Sequence, residues 1–142
     1  MTTYSNLPGY LISMATKLIK KALDEALKPH GVTAAQWGIL GRLYEEDGLL
    51  IVEIAKRLFT EPPTITRMLD LLEKEGFVTR KTKEGDRRAY EIFLTKKGKD
   101  MEEVLRLKVF DTIDNATKGL SEKEITAFKN TLRNIINNLS SI

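Results

Sequence analysis

The sequence predicts a mainly α-helical fold carrying one small β-hairpin, with a long amphipathic helix near each end of the chain. Three observations lead to this class. Between residues 51 and 98, two short stretches of helical periodicity precede two runs of period two, which are joined by a highly charged turn. Outside that stretch, apolar residues recur at helical spacing over long spans on both sides. At 142 residues, 42% of them apolar, the chain fits one domain with helical extensions and can fill a core.

The first helix is marked by Leu7, Leu11, Met14, Leu18, Ala22 and Leu27, a stripe widened by Ala15, Ile19, Leu23 and Ala26. Pro29-His30-Gly31 breaks it. Thr33 caps a second helix, apolar at Trp37, Leu40, Leu43 and Tyr44, which stops near Asp47-Gly48. The run Leu49-Leu50-Ile51-Val52 has two readings: a short strand added to the hairpin, or an apolar patch on the surface. Ile51, Ile54, Ala55 and Leu58 then mark a short third helix. Thr60-Glu61-Pro62-Pro63 ends it and begins the next. Proline fits the first helical turn, where its missing N–H costs nothing, and Thr60 is the better cap of the two residues ahead of it. The fourth helix is apolar at Ile65, Met68, Leu69 and Leu72 and ends at Gly76; Thr64, Thr66, Arg67, Asp70 and Lys74 lie mainly off that stripe.

After Gly76 the period changes to two. Phe77-Val78-Thr79-Arg80-Lys81 is one strand, and Tyr90-Glu91-Ile92-Phe93-Leu94 is the other, with Tyr90, Ile92 and Leu94 on one face. Lys83-Glu84-Gly85-Asp86-Arg87-Arg88 forms the hairpin tip. From Thr95 the pattern is helical again, with Met101, Val104, Leu105, Lys108 and Thr112 on one line. Ser121 and Glu124 make a capping box for a last helix that carries Ile125, Phe128, Leu132, Ile135, Ile136, Leu139 and Ile142, nearly a heptad seam. Two amphipathic end helices are more than so small a central unit can cover, so pairing with a second copy is the natural outlet.

Composition narrows the function. Lys and Arg number 23 against 20 Asp and Glu, a net charge of +3, so any nucleic-acid surface must be local. Cysteine is absent, which removes disulfides and thiolate metal sites and fits a reducing compartment. One histidine, His30 in a helix break, makes no zinc site of the common kind. No Gly-rich phosphate loop, GxSxG or HExxH occurs, which disfavours an enzyme. No apolar run reaches the ~20 residues that span a bilayer, and the start of the chain lacks a secretory pattern; these observations predict a cytoplasmic protein without a membrane partner or cofactor.

Helix, turn, helix and a basic hairpin in succession form a winged helix-turn-helix pattern. The chain here resembles the MarR family of winged-helix transcription regulators, its SlyA-like members in particular. The resemblance rests on Glu61-Pro62-Pro63-Thr64-Ile65-Thr66-Arg67, Leu69-Asp70, Leu72-Glu73 and Gly76-Phe77-Val78, then on Asp86-Arg87-Arg88-Ala89 and Leu94-Thr95-Lys96-Lys97-Gly98. Residues 27–37 are similar to SlyA-like members as well. The family usually has a Ser or Thr cap near Leu50 and a polar residue near Ile51, so the run at 49–52 is a departure. The resemblance implies a homodimer, with residues 1–32 and 99–142 as its helical dimerisation region and residues 33–98 as the DNA-binding domain.

In that setting double-stranded DNA is the expected partner. Arg67, with Thr64 and Thr66, is placed to read base edges in a major groove, since Arg is the commonest specific partner of guanine. Pro63 helps to aim the helix N-terminus at phosphate. Thr60 belongs to the same set by position, although a capping role alone accounts for it. The resemblance makes Asp86 and Arg88 a working unit, in which the aspartate orients an arginine that enters the minor groove. Arg87 and Lys83 are phosphate candidates, with Arg80, Arg57 and Lys56 in support. Family members commonly bind small aromatic, often anionic, molecules between the lobe and the dimerisation helices. Trp37 matches a pocket-side position, and Lys17 falls where some members carry an arginine; Gly41 replaces a larger polar residue. The reading is a homodimeric regulator on a pseudo-palindromic operator, with two recognition helices roughly 34–36 Å apart and DNA affinity modulated by a small aromatic ligand. The rivals are a winged-helix protein–protein interaction module without DNA binding and a small-molecule-binding protein with no DNA role.

Overall fold

The computed structural model describes residues 3–140. A single 3-10 turn at Tyr4–Asn6 leads into α1 (Pro8–Leu27), and Lys28–His30 adds one 3-10 turn closed by Gly31. Then follow α2 (Ala34–Glu45), β1 (Leu49–Leu50), α3 (Ile51–Arg57), α4 (Pro62–Lys74), β2 (Val78–Lys83), β3 (Asp86–Leu94), α5 (Lys96–Asp100), α6 (Glu102–Ala116) and α7 (Glu122–Ser140).

Local chemistry sets most of these boundaries. Thr33 and Gln36 form a complete capping box at α2: each side chain accepts from the other's backbone N–H, at 3.1 and 3.0 Å. Ser121 and Glu124 do the same at α7, both at 3.1 Å. α4 closes in a Schellman motif: Phe77 N–H donates to Leu72 O at 2.9 Å and Gly76 N–H to Glu73 O at 3.0 Å. Gly76 sits at φ +83, where a side chain would be strained.

Thr60 does not cap α4. Glu61 occupies the N-cap position without a side-chain capping bond, and the Thr60 hydroxyl instead donates to Leu58 O at 3.0 Å, closing the turn after α3. Thr60 stands one residue too early because the helix begins at Pro62. The run at 49–52 divides between its two readings. Leu49 and Leu50 pair with Ile92 and Glu91 as the third strand, giving a sheet of order β1-β3-β2, while Val52 remains exposed at the start of α3.

Ile39, Leu40, Leu43, Ile54, Ile65, Leu69, Leu72 and Ile92 are fully buried between α2, α3, α4 and the sheet. Truncating one such leucine costs about 2–5 kcal/mol. Leu27 and Leu105 extend this core to α1 and α6, which pack on each other. The turned-in line of α6 is Leu105 and Val109, four residues apart; Lys108 of the expected line faces solvent, because Val109 takes the inward position of that turn.

α7 contributes no buried residue, and Phe128, Ile136 and Leu139 are exposed along it. Ile142, the last position of the expected seam, lies outside the described residues. Leu7, just ahead of α1, and Tyr10, Leu11 and Leu18 along it are exposed in the same way.

Candidate nucleic-acid interface

α4 buries Ile65, Leu69 and Leu72 and turns Arg67, Asp70, Leu71 and Lys74 outward. Thr64 and Thr66 are half-buried at its start, and the Thr66 hydroxyl donates to Pro62 O at 3.1 Å. The helix N-terminus differs from expectation. Pro62 and Pro63 have no N–H, and the amides of Thr64 and Ile65 both donate to Glu61 O, at 3.0 and 3.3 Å. No amide of the first turn is therefore left for a phosphate, and only the field of the helix dipole remains.

The hairpin is longer than the sequence pattern suggests. β2 and β3 pair regularly from Val78↔Leu94 to Thr82↔Tyr90, and then the register jumps to Lys83↔Asp86. Arg87, Arg88 and Ala89 consequently have no opposite residue on β2, and such an irregularity re-aims side chains. Asp86 shapes the segment through the backbone: its Oδ1 accepts from Arg88 N–H at 3.0 Å. The Arg88 guanidinium is not paired with it.

The ion pairs sort the remaining cations. Arg80, whose side chain is only 19% exposed, donates to Asp70 and lies near Glu73, at 3.7 Å from Nε. Both acids belong to α4, so Arg80 ties the wing to that helix. Arg57 is taken by Glu46. Among the described residues, Lys56, Arg67, Lys83, Arg87 and Arg88 are exposed without a carboxylate partner. Arg88, Ala89 and Tyr90 share a cleft of about 270 Å³ with Pro62 and residues 50–52, which brings the wing base to the start of α4.

A second cleft, of about 240 Å³, lies between α2 and α6. Trp37, Arg42, Tyr44, Glu102, Arg106 and Phe110 are among its lining residues. The Trp37 and Tyr44 rings are tilted, with centroids 6.0 Å apart. Arg42 pairs with Glu45 at 2.7 Å, while its Nε is buried without a hydrogen-bond partner. Burial first, then the negative charge of Glu102, pushes the Tyr44 hydroxyl up to about 12. Lys17 is exposed on α1 and does not line this cleft. Sequence reasoning missed both arginines. Arg42 stands five residues after Trp37 with no motif to mark it, and Arg106 comes from a distant helix.

Three helices, a three-stranded wing and a cationic face beside the second helix of the helix-turn-helix define a winged-helix protein of the nucleic-acid-binding class. A family profile, that of the MarR family, matches residues 32–90. The regulator SarZ of Staphylococcus epidermidis is 33% identical over 96 residues, 68% of this chain; the matched region spans 65% of that relative's length. SarZ of Staphylococcus saprophyticus is 33% identical over 131 residues, 90% of this chain and 86% of the relative. A crystal structure of a mutant MarR from E. coli complexed with operator DNA superposes with a TM-score of 0.85, at 30% identity, over 94% of this chain and 99% of that one. The chain belongs to the MarR family of transcriptional regulators, which are not enzymes. No helix among the described residues is long and apolar enough to cross a membrane.

Proposed function

We propose that this chain is a cytoplasmic, homodimeric, DNA-binding transcriptional regulator that reads a pseudo-palindromic duplex, one half-site per subunit. The observation that carries the reading is the set of exposed, unpaired cations on two adjoining elements: Arg67 on α4, and Lys83, Arg87 and Arg88 on the wing, which the Arg80–Asp70 pair and the cleft at Pro62 hold against α4. α4 enters the major groove with Arg67 on base edges and with Thr64 and Thr66 beside it. Arg88 occupies the adjoining minor groove, while Arg87 and Lys83 hold phosphates. The MarR–operator complex of similar fold supports this assignment.

Residues 1–32 and 99–142 form the dimerisation region and residues 33–98 the DNA-binding domain. Support comes from the apolar faces left open on α1 and α7, since monomeric proteins rarely expose such continuous patches. The effector is a small aromatic anion in the Trp37 cleft. Trp37 and Phe110 supply the aromatic walls, and Arg42 and Arg106, rather than Lys17, the positive charge.

Fluorescence anisotropy of a labelled duplex over a salt series tests the DNA reading. Affinity should fall linearly with salt on logarithmic axes, and Arg87→Ala should reduce the slope by about one. An anisotropy that never rises at low salt refutes it.

A further inference from the structure

The junction between the reading lobe and the dimerisation helices is made of a few specific bonds around α5. Tyr44, on α2 and in the cleft, donates its hydroxyl to Gly98 O at 2.6 Å. Gly98 N–H donates to Thr95 Oγ1 at 3.1 Å, and Thr95 Oγ1 donates to Gly76 O at 2.5 Å. Thr95 N–H donates to Phe77 O at 3.0 Å, and Lys97 Nζ donates to Glu75 O at 2.7 Å. Glu75, Gly76 and Phe77 are the residues that close the C-terminal end of α4. The sequence of bonds is therefore continuous from the cleft wall to the end of the helix that carries Arg67.

We propose that the Tyr44 and Thr95 hydroxyls form a relay that transmits occupation of the Trp37 cleft to the C-terminal cap of α4, and so to the orientation of that helix on DNA. This rests on the cleft reading given above. Three features favour transmission over a passive brace. The cleft's far wall, Glu102, Arg106 and Phe110, is on α6, so a ligand between α2 and α6 loads the junction directly. α6 joins α5 at Met101, whose N–H donates to Lys97 O at 3.1 Å and whose carbonyl accepts from Leu105 N–H at 3.0 Å, so the hydrogen-bond ladder runs on and a displacement of α6 is carried into α5. Gly98 also presses on the Phe77 carbonyl so closely that an added Cβ would lie 2.2 Å from its oxygen, leaving no slack between α5 and the α4 cap. Coupling requires an element that both sites bias, and α5 touches both.

The test uses the full-length protein, salicylate as the probe, quenching of Trp37 as the binding signal, and anisotropy of a duplex selected from a random pool. In the unaltered protein, saturating salicylate should weaken DNA binding about tenfold, within the usual range of such couplings. Thr95→Val, which touches neither cleft nor DNA face, should bind salicylate like the parent yet change DNA affinity less than twofold on saturation. Thr95→Ser should restore the parent ratio, and Tyr44→Phe should lower it. Parent-like ratios in Thr95→Val and Tyr44→Phe overturn the relay.

A ligand-free measurement separates the relay from the cleft. Amide exchange at Gly76 and Phe77 should quicken in Tyr44→Phe, although these residues lie far along the chain. If salicylate fails to quench Trp37, the cleft reading fails and the transmission of its occupation fails with it; exchange then decides only the connection from Tyr44 to the α4 cap. Unchanged protection at Gly76 and Phe77 overturns it, and faster exchange upholds it.

Discussion

Gly98→Ala separates the account from simple helix propensity. Gly98 lies in the middle of α5, where replacing Gly by Ala normally gains about 1 kcal/mol. Here the new Cβ would sit 2.2 Å from Phe77 O and 3.2 Å from Phe77 C. Both are backbone atoms, which cannot rotate aside, so α5 and the α4 cap must part by roughly an ångström in a close-packed region. Overpacking of this kind costs about 1–3 kcal/mol. The same displacement strains the Thr95 bonds to Gly76 and Phe77 and the Tyr44 bond to Gly98, each worth about 1 kcal/mol. With about 2 kcal/mol of that bonding lost and the propensity gain subtracted, the net loss is roughly 2–4 kcal/mol. For a chain of this length that lowers Tm by about 4–16 °C. Urea or thermal unfolding at one fixed protein concentration measures it, since a dimer's stability depends on concentration. A Gly98→Ala protein as stable as the parent, or more so, refutes the packing argument.

Arg67→Ala should cost about 1–3 kcal/mol on the selected duplex and less on random DNA, whereas Arg88→Ala should weaken both alike; paired anisotropy titrations read the difference. Asp86→Ala makes the protein more positive, yet it frees the Arg88 backbone N–H that Asp86 holds, so DNA binding should weaken; tighter binding defeats the orienting role. Charged residues at Ile136 and Leu139 should convert the dimer to monomers or aggregates in light scattering and lower DNA affinity with it; an unaltered chain that is monomeric at micromolar concentration removes the dimer from the account. Tyr44 binds its proton more tightly folded than unfolded, so its contribution to stability is complete below about pH 10 and is lost as pH rises towards 12. Urea midpoints across that window should fall more steeply for the parent than for Tyr44→Phe.

Much of the fold was legible because local signals agreed with one another. The cap at Thr33, the capping box at Ser121, the stop at Gly76 and the period change after it all stand where the residues placed them. The Thr60 cap was misread because two prolines shift the helix start by one residue, a geometric effect that composition does not show. The division between α5 and α6 at Met101 was not legible, since neither Pro nor Gly stands there, its helical bonds run on, and Gly98, the one suggestive residue, lies inside a helix. At the site, the outward Arg67 and the wing arginines followed from period and position. The capture of Arg80 by Asp70 and Glu73 did not, because it depends on how the wing folds back onto α4. The cleft arginines were hidden for a related reason: Arg42 and Arg106 are distant in sequence and meet only through the packing of α6 near α2.

In the function proposed above, two copies of this chain read DNA through α4 and the wing. Selection of bound duplexes from a random pool at low salt tests it most directly. The expected outcome is enrichment of an inverted repeat whose half-sites are centred roughly 10 bp apart, one helical turn, with altered base preference in each half-site for Arg67→Ala. A pool that remains random after repeated rounds, or a repeat whose preferences Arg67→Ala leaves unchanged, contradicts it.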